Sequence, residues 1–82
     1  MQSYKTTVKE FLSDYIFKLR KNRGLSQKQM AECLHITSRA YGDLERGKFC
    51  FSSTALLSLL LMLDRQEVYE LIEELRQRIR IS

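Results

Sequence analysis

Apolar side chains recur along this chain at intervals of three and four, the spacing that keeps them on one face of a helix. Val8, Phe11, Leu12, Tyr15, Ile16 and Leu19 predict a first helix, opened by the T-x-x-E box of Thr7 and Glu10 and stopped at Asn22 and Gly24. Ser26 and Gln29 form a second box, S-x-x-Q, ahead of a short helix with Met30, Ala31 and Leu34 that ends near His35. Thr37 is the predicted cap of a third helix, with Ala40, Tyr41 and Leu44 inward and Gly47 just past its end. Ser52 or Ser53 caps a fourth helix that carries Leu56, Leu57, Leu59, Leu60, Leu61 and Leu63. Asp64 and Glu67 open a fifth, with Val68, Leu71, Ile72, Leu75 and Ile79 on one stripe. No repeat, low-complexity tract or linker divides the pattern, so residues 1–82 read as one all-α, five-helix domain.

Only Ser58 interrupts the apolar surface of the fourth helix, which implies cover on more than one side. On the fifth, positions 68, 72, 75 and 79 make an alternating four-three seam flanked by Glu67, Glu70, Glu73, Glu74, Arg76 and Arg78. These two patterns place a homodimer interface in the region 53–80, with Leu60, Val68, Leu71, Ile72, Leu75 and Ile79 as its candidate residues. The alternative is that both stripes close the core of a single chain.

Composition agrees with a helical class: 82 residues hold no Pro and three Gly, and 44% are hydrophobic, which excludes a disordered chain. The net charge of +4 is unevenly spread: residues 1–48 carry 10 basic and 5 acidic side chains, residues 49–82 carry 4 and 5. The basic half is the expected face for a polyanion. The N-terminal MQSYKTTVKE lacks the apolar stretch of a signal peptide, and LLSLLLML is far shorter than the ~20 residues that span a bilayer. A cytoplasmic protein with no membrane contact is expected. Cys33 and Cys50 are then reduced, as core or interface thiols. Catalysis is not expected, because Cys33 and His35 lie two apart at a helix end and point in different directions. Neither is a metal, since Cys33, His35 and Cys50 lack a fourth ligand, and no cofactor is implied.

The segment LRKNRGLSQKQMAECLHITSRAYGDLERGK, residues 19–48, resembles the helix-turn-helix family of phage repressors and Cro, also called the XRE family. The resemblance rests on Arg20, on Leu25-Ser26-Gln27, on Ala31 and Leu34, on Ile36-Thr37-Ser38, and on Leu44-Glu45-Arg46-Gly47, and continues more loosely to about residue 64. The residues also make physical sense alone. Ala31 is small where two helices cross, Ile36 fills their corner, and Leu44 anchors the second inward. The resemblance implies that Arg20 pairs with Glu45, and that outward residues at the start of the third helix, here Ser38, Arg39 and Asp43, read base edges in double-stranded DNA. Arg39 is the leading candidate, since a guanidinium can bond guanine O6 and N7 together. Phosphate contacts fall to Gln27, Lys28, Arg46 and Lys48. Lys18, Lys21 and Arg23 are either further phosphate contacts or a solvated face.

Three residues depart from the family pattern: His35 stands for a turn glycine, Tyr41 for Ile or Val, and Gly42 for a small polar residue. Gly42 costs about 1 kcal/mol of helix propensity relative to alanine. It could bring the helix close to the sugar-phosphate wall or make room for the Tyr41 ring. Asp43 could accept from cytosine N4, repel wrong sequences, or orient Arg39 at i,i+4. The implied function is a homodimeric transcriptional regulator reading an inverted repeat with half-sites about 10 bp apart or a multiple of that. The competing reading is a module with a protein partner, such as an antitoxin, suggested by the apolar loop Phe49-Cys50-Phe51. A restriction-modification controller would have a similar size and helix count.

Overall fold

The computed structural model describes residues 3–81, with the side chain of residue 81 left aside, and within them the chain forms five helices: α1 (Tyr4–Asn22), α2 (Gln27–Leu34), α3 (Ser38–Glu45), α4 (Ser53–Leu61) and α5 (Arg65–Ile81). α3 packs on α2 and α1, α4 on α2, and α5 on α1. The core between them is built from Phe11, Leu12, Ile16 and Leu19 of α1, Met30, Ala31 and Leu34 of α2, Tyr41 and Leu44 of α3, Leu59 of α4, Leu63 and Leu71.

Hydroxyl and carboxyl caps mark every helix start. Ser26 and Gln29 close their box in both directions, with Ser26 Oγ accepting from the Gln29 N–H at 3.1 Å and the Ser26 N–H donating to Gln29 Oε1 at 2.9 Å. Thr37 accepts from the Ala40 N–H at 3.1 Å, and Ser52, rather than Ser53, from the Ala55 N–H at 3.2 Å. Asp64 and Glu67 close a further reciprocal box at the start of α5. Each such cap contributes about 1 kcal/mol.

The Thr7–Glu10 box does not open α1. The helix begins a turn earlier, with Ser3 as its cap accepting from the Thr6 N–H at 3.1 Å. Thr7 is buried inside the first turns, and its hydroxyl donates back to the Ser3 carbonyl at 3.2 Å, a bond that mid-helix threonines commonly make. Ser3 offers a cap hydroxyl one turn upstream without the acidic half of the box.

Helix α3 ends as expected. Gly47 has φ +72°, its N–H donates to Leu44 O, and the Lys48 N–H donates to Asp43 O at 2.9 Å. A left-handed residue in this position satisfies the last carbonyls, and glycine holds it without a Cβ clash.

The stripe expected to form a dimer splits between two roles. Leu71 belongs to the chain's own core, and Val68, Leu75 and Leu60 pack against that core half-buried. Ile79 is half-buried as well, whereas Ile72 is exposed. The reason is that α5 lies on α1, and Arg78 sits 5.4 Å from the Phe11 ring. The exposed leucines are on α4, with Leu57 58% and Leu61 85% exposed. No helix is long and apolar enough to cross a membrane among the described residues.

Candidate nucleic-acid interface

Helices α2 and α3 meet through a three-residue turn. His35 caps α2 at φ 60°, ψ 41°, the left-handed region, so the position that departs from glycine does need a positive φ. The His35 N–H donates to Glu32 O at 3.2 Å and the Ile36 N–H to Ala31 O at 3.0 Å. These bonds finish α2, and Thr37 opens α3 at once. Ala31 is almost fully buried at the crossing, and Ile36 packs against the core beside it.

One carboxylate fixes α3 against the rest of the fold. Glu45 accepts four hydrogen bonds: from Arg20 Nε at 2.8 Å, Arg20 Nη2 at 3.1 Å, Gln27 Nε2 at 3.0 Å and the Tyr41 hydroxyl at 2.5 Å. The Arg20 guanidinium also donates from Nη1 to Leu25 O at 3.1 Å. The charged pair is little exposed, 10% for the Arg20 side chain and 8% for Glu45. Burial pushes the Glu45 carboxyl up, but the bonds from Arg20, Tyr41 and Gln27 outweigh it and hold the group below its ordinary value. Burial, then the bond to Glu45, drives the Tyr41 hydroxyl well above the usual phenol range, so it stays a donor. Three helices are thereby joined at one point, α1 through Arg20, α2 through Gln27 and α3 through Glu45 and Tyr41.

With α3 anchored on that side, its other side faces out. Ser38 and Arg39 are exposed at its N-terminal end, and Lys28 and Lys48 are exposed nearby in sequence at the start of α2 and after α3. A helix-turn-helix family model matches residues 16–71 of the chain. The chain belongs to this family of DNA-binding regulators, of the XRE, Cro-like type. No curated protein and no solved structure matches it.

Within this helix-turn-helix protein, the expected site residues fall into distinct groups. Ser38 and Arg39 lie on the outward face of α3, and Lys28 and Lys48 are accessible, Lys48 resting 5.4 Å from the Phe49 ring. Gln27, expected at the phosphate, has its amide engaged with Glu45. Asp43, expected among the outward residues, is instead 8% exposed, and its carboxylate pairs with Arg46, not with Arg39. Gly42 lies under the Arg46 side chain. A Cβ built there would meet Arg46 Nη1 at 3.3 Å, so the space it leaves is filled by the arginine.

The charge run at the end of α1 makes contacts within the chain. Lys18 pairs with Asp14 at 2.9 Å, and Lys21 lies 5.7 Å from the Phe17 ring. Arg23 donates to Met62 O at 2.8 Å and to Glu67 Oε1 at 2.7 Å, tying the end of α1 to the turn before α5. Glu67 thus serves as helix box and ion-pair partner together. The D-x-x-E signal reveals the first role; nothing local reveals the second.

Proposed function

We propose that the chain is a sequence-specific transcriptional regulator that binds an inverted repeat in double-stranded DNA as a homodimer, each protomer placing α3 in a major groove. The observation that carries this reading is the Glu45 anchor. It holds the recognition helix from behind, so that the helix presenting Ser38 and Arg39 does not itself have to be ordered on binding. Arg39 reads a guanine, Ser38 bonds a base or phosphate, and Lys28, Lys48 and the N–H groups at the start of α2 contact the backbone. Gln27 contributes by positioning Glu45.

The dimer is built around Leu57 and Leu61, which share one face of α4 at i,i+4, with Ile72 as the residue of the α5 stripe that remains exposed. Leaving such leucines in water forgoes about 1.5–3 kcal/mol each. A protein partner is the second reading. It is favoured by Phe49, 56% exposed, beside a cavity of about 240 Å³ lined by Ile36, Ala40, Asp43, Leu44, Phe49 and Cys50.

Selection from a randomised duplex pool at about 150 mM salt tests the proposal. An enriched inverted repeat is expected, and Arg39→Ala should cost about 1–3 kcal/mol with loss of preference at one position per half-site. A pool retained without enrichment, or not retained, would refute the reader and favour the protein partner.

A further inference from the structure

We infer that Arg46 is a specificity-determining residue that takes the place of the side chain missing at position 42 and reads a base edge. This rests on the DNA-reading role of α3 and goes beyond it, because family resemblance alone assigns Arg46 to a phosphate.

Three observations converge. First, Gly42 lies in the middle of α3, one turn from Ser38 and from Arg46, where a groove-facing side chain would stand. Side chains on a helix lean toward its N-terminus, so a residue four positions on covers the turn before it. Arg46 does this. Its Nη1 sits 3.3 Å from where a Cβ of residue 42 would be, and Gly42 is buried. Second, Asp43 holds the guanidinium there. Its carboxylate, with a side chain only 12% exposed, accepts from Arg46 Nη2, while the Arg46 side chain is 66% exposed. The cation is therefore held through one nitrogen while most of its side chain stays open to solvent. Third, a guanidinium steered by a carboxylate presents its remaining N–H groups in a fixed plane, the geometry that matches O6 and N7 of guanine. A mere phosphate contact would need neither the glycine nor the buried partner. Asp43 is accordingly a positioning residue, and Gly42 is the vacancy that lets the arginine lie flat against the helix.

The test uses the full chain and compares it with Arg46→Lys and Gly42→Ala in the same pool selection, with affinities for the enriched duplex and for a random duplex measured in parallel. Lysine keeps the charge for a phosphate but cannot bond two acceptors in a plane. Arg46→Lys should lose about tenfold or more on the enriched site, stay within about twofold on random DNA, and lose the preference for guanine at one position per half-site. Gly42→Ala should melt at a higher temperature, since alanine favours the helix, yet discriminate less at that same position because the guanidinium is displaced. A preserved motif in both variants overturns the assignment while leaving α3 as the reader, and equal weakening of Arg46→Lys on both duplexes returns Arg46 to the phosphate. Absence of any motif with the unaltered chain overturns the reading beneath it as well.

Discussion

Replacing Arg20 by alanine isolates the Glu45 anchor. The pair is held by bonds of 2.8 and 3.1 Å between side chains 10% and 8% exposed. At the 2.8 Å of the shorter bond and an effective dielectric of about 20, the gross attraction is about 6 kcal/mol. Desolvation opposes it, and removing one partner of a buried pair typically costs about 3–5 kcal/mol. Gln27 and Tyr41 still bond Glu45 in the variant, so a loss of about 3 kcal/mol is expected. That is a large part of the roughly 4–12 kcal/mol an 82-residue domain can have, and it lowers Tm by roughly 12–24 °C. Urea unfolding followed by far-UV circular dichroism, at one fixed protomer concentration, measures it.

The pH dependence gives the same experiment a second readout. Glu45 is held below its ordinary value in the folded chain, chiefly by Arg20 once burial is overcome. Its contribution is therefore fully present above the unfolded value of about 4.3 and disappears as pH falls through the lowered folded value. In Arg20→Ala the leading bond that lowers it is gone, so acid takes less from the variant than from the parent. The gap between them should be widest near neutral pH and narrow in acid. A loss below about 1 kcal/mol, or a gap that does not change with pH, would refute the account of Glu45 as a buried, charged anchor.

Two further outcomes follow from the turn and from α4. His35→Gly relieves a left-handed residue that costs about 1–2 kcal/mol, less the roughly 0.5–1 kcal/mol of added chain entropy; Tm should rise by a few degrees in a thermal melt, and a fall would show that the imidazole is held by the fold. Leu61→Glu places a charge on the most exposed leucine of α4; at about 2 kcal/mol for each of two symmetric copies, dimerisation should weaken about a thousandfold, giving monomers by sedimentation with unchanged helix content. A variant that still sediments as a dimer would put the interface elsewhere.

Helix existence and most caps were legible because both are local codes. Ser26–Gln29, Thr37 and Asp64–Glu67 are each complete within four residues, and the structure closes all of them. The pairing of Arg20 with Glu45, 25 positions apart, is not local and was accessible only through the family resemblance. Periodicity tells which face of a helix is apolar but not what covers it. Val68, Leu71 and Leu75 fit a seam for a second chain by period alone, and in the fold they lie in or against the chain's own core. Asp43 and Arg23 have partners that the sequence pattern does not name, for a related reason. A charged residue next to a predicted binding face reads as outward until its partner is known; Asp43 has several local candidates and takes Arg46 at i,i+3, whereas Arg23 meets Glu67 across 44 positions.

The division of α3 into two sides has a consequence for redesign. Tyr41, Leu44 and Glu45 bear the fold, and every bond of the Glu45 anchor lies on their side. Ser38 and Arg39 carry none of it, so if α3 reads DNA as proposed they can be exchanged one at a time on an unchanged chassis. Residues 42, 43 and 46 are different. The arginine fills the void of the glycine and leans on the aspartate, so any one of them altered alone strands the other two. A programme of retargeting would treat those three as a single letter and the first two as separate ones.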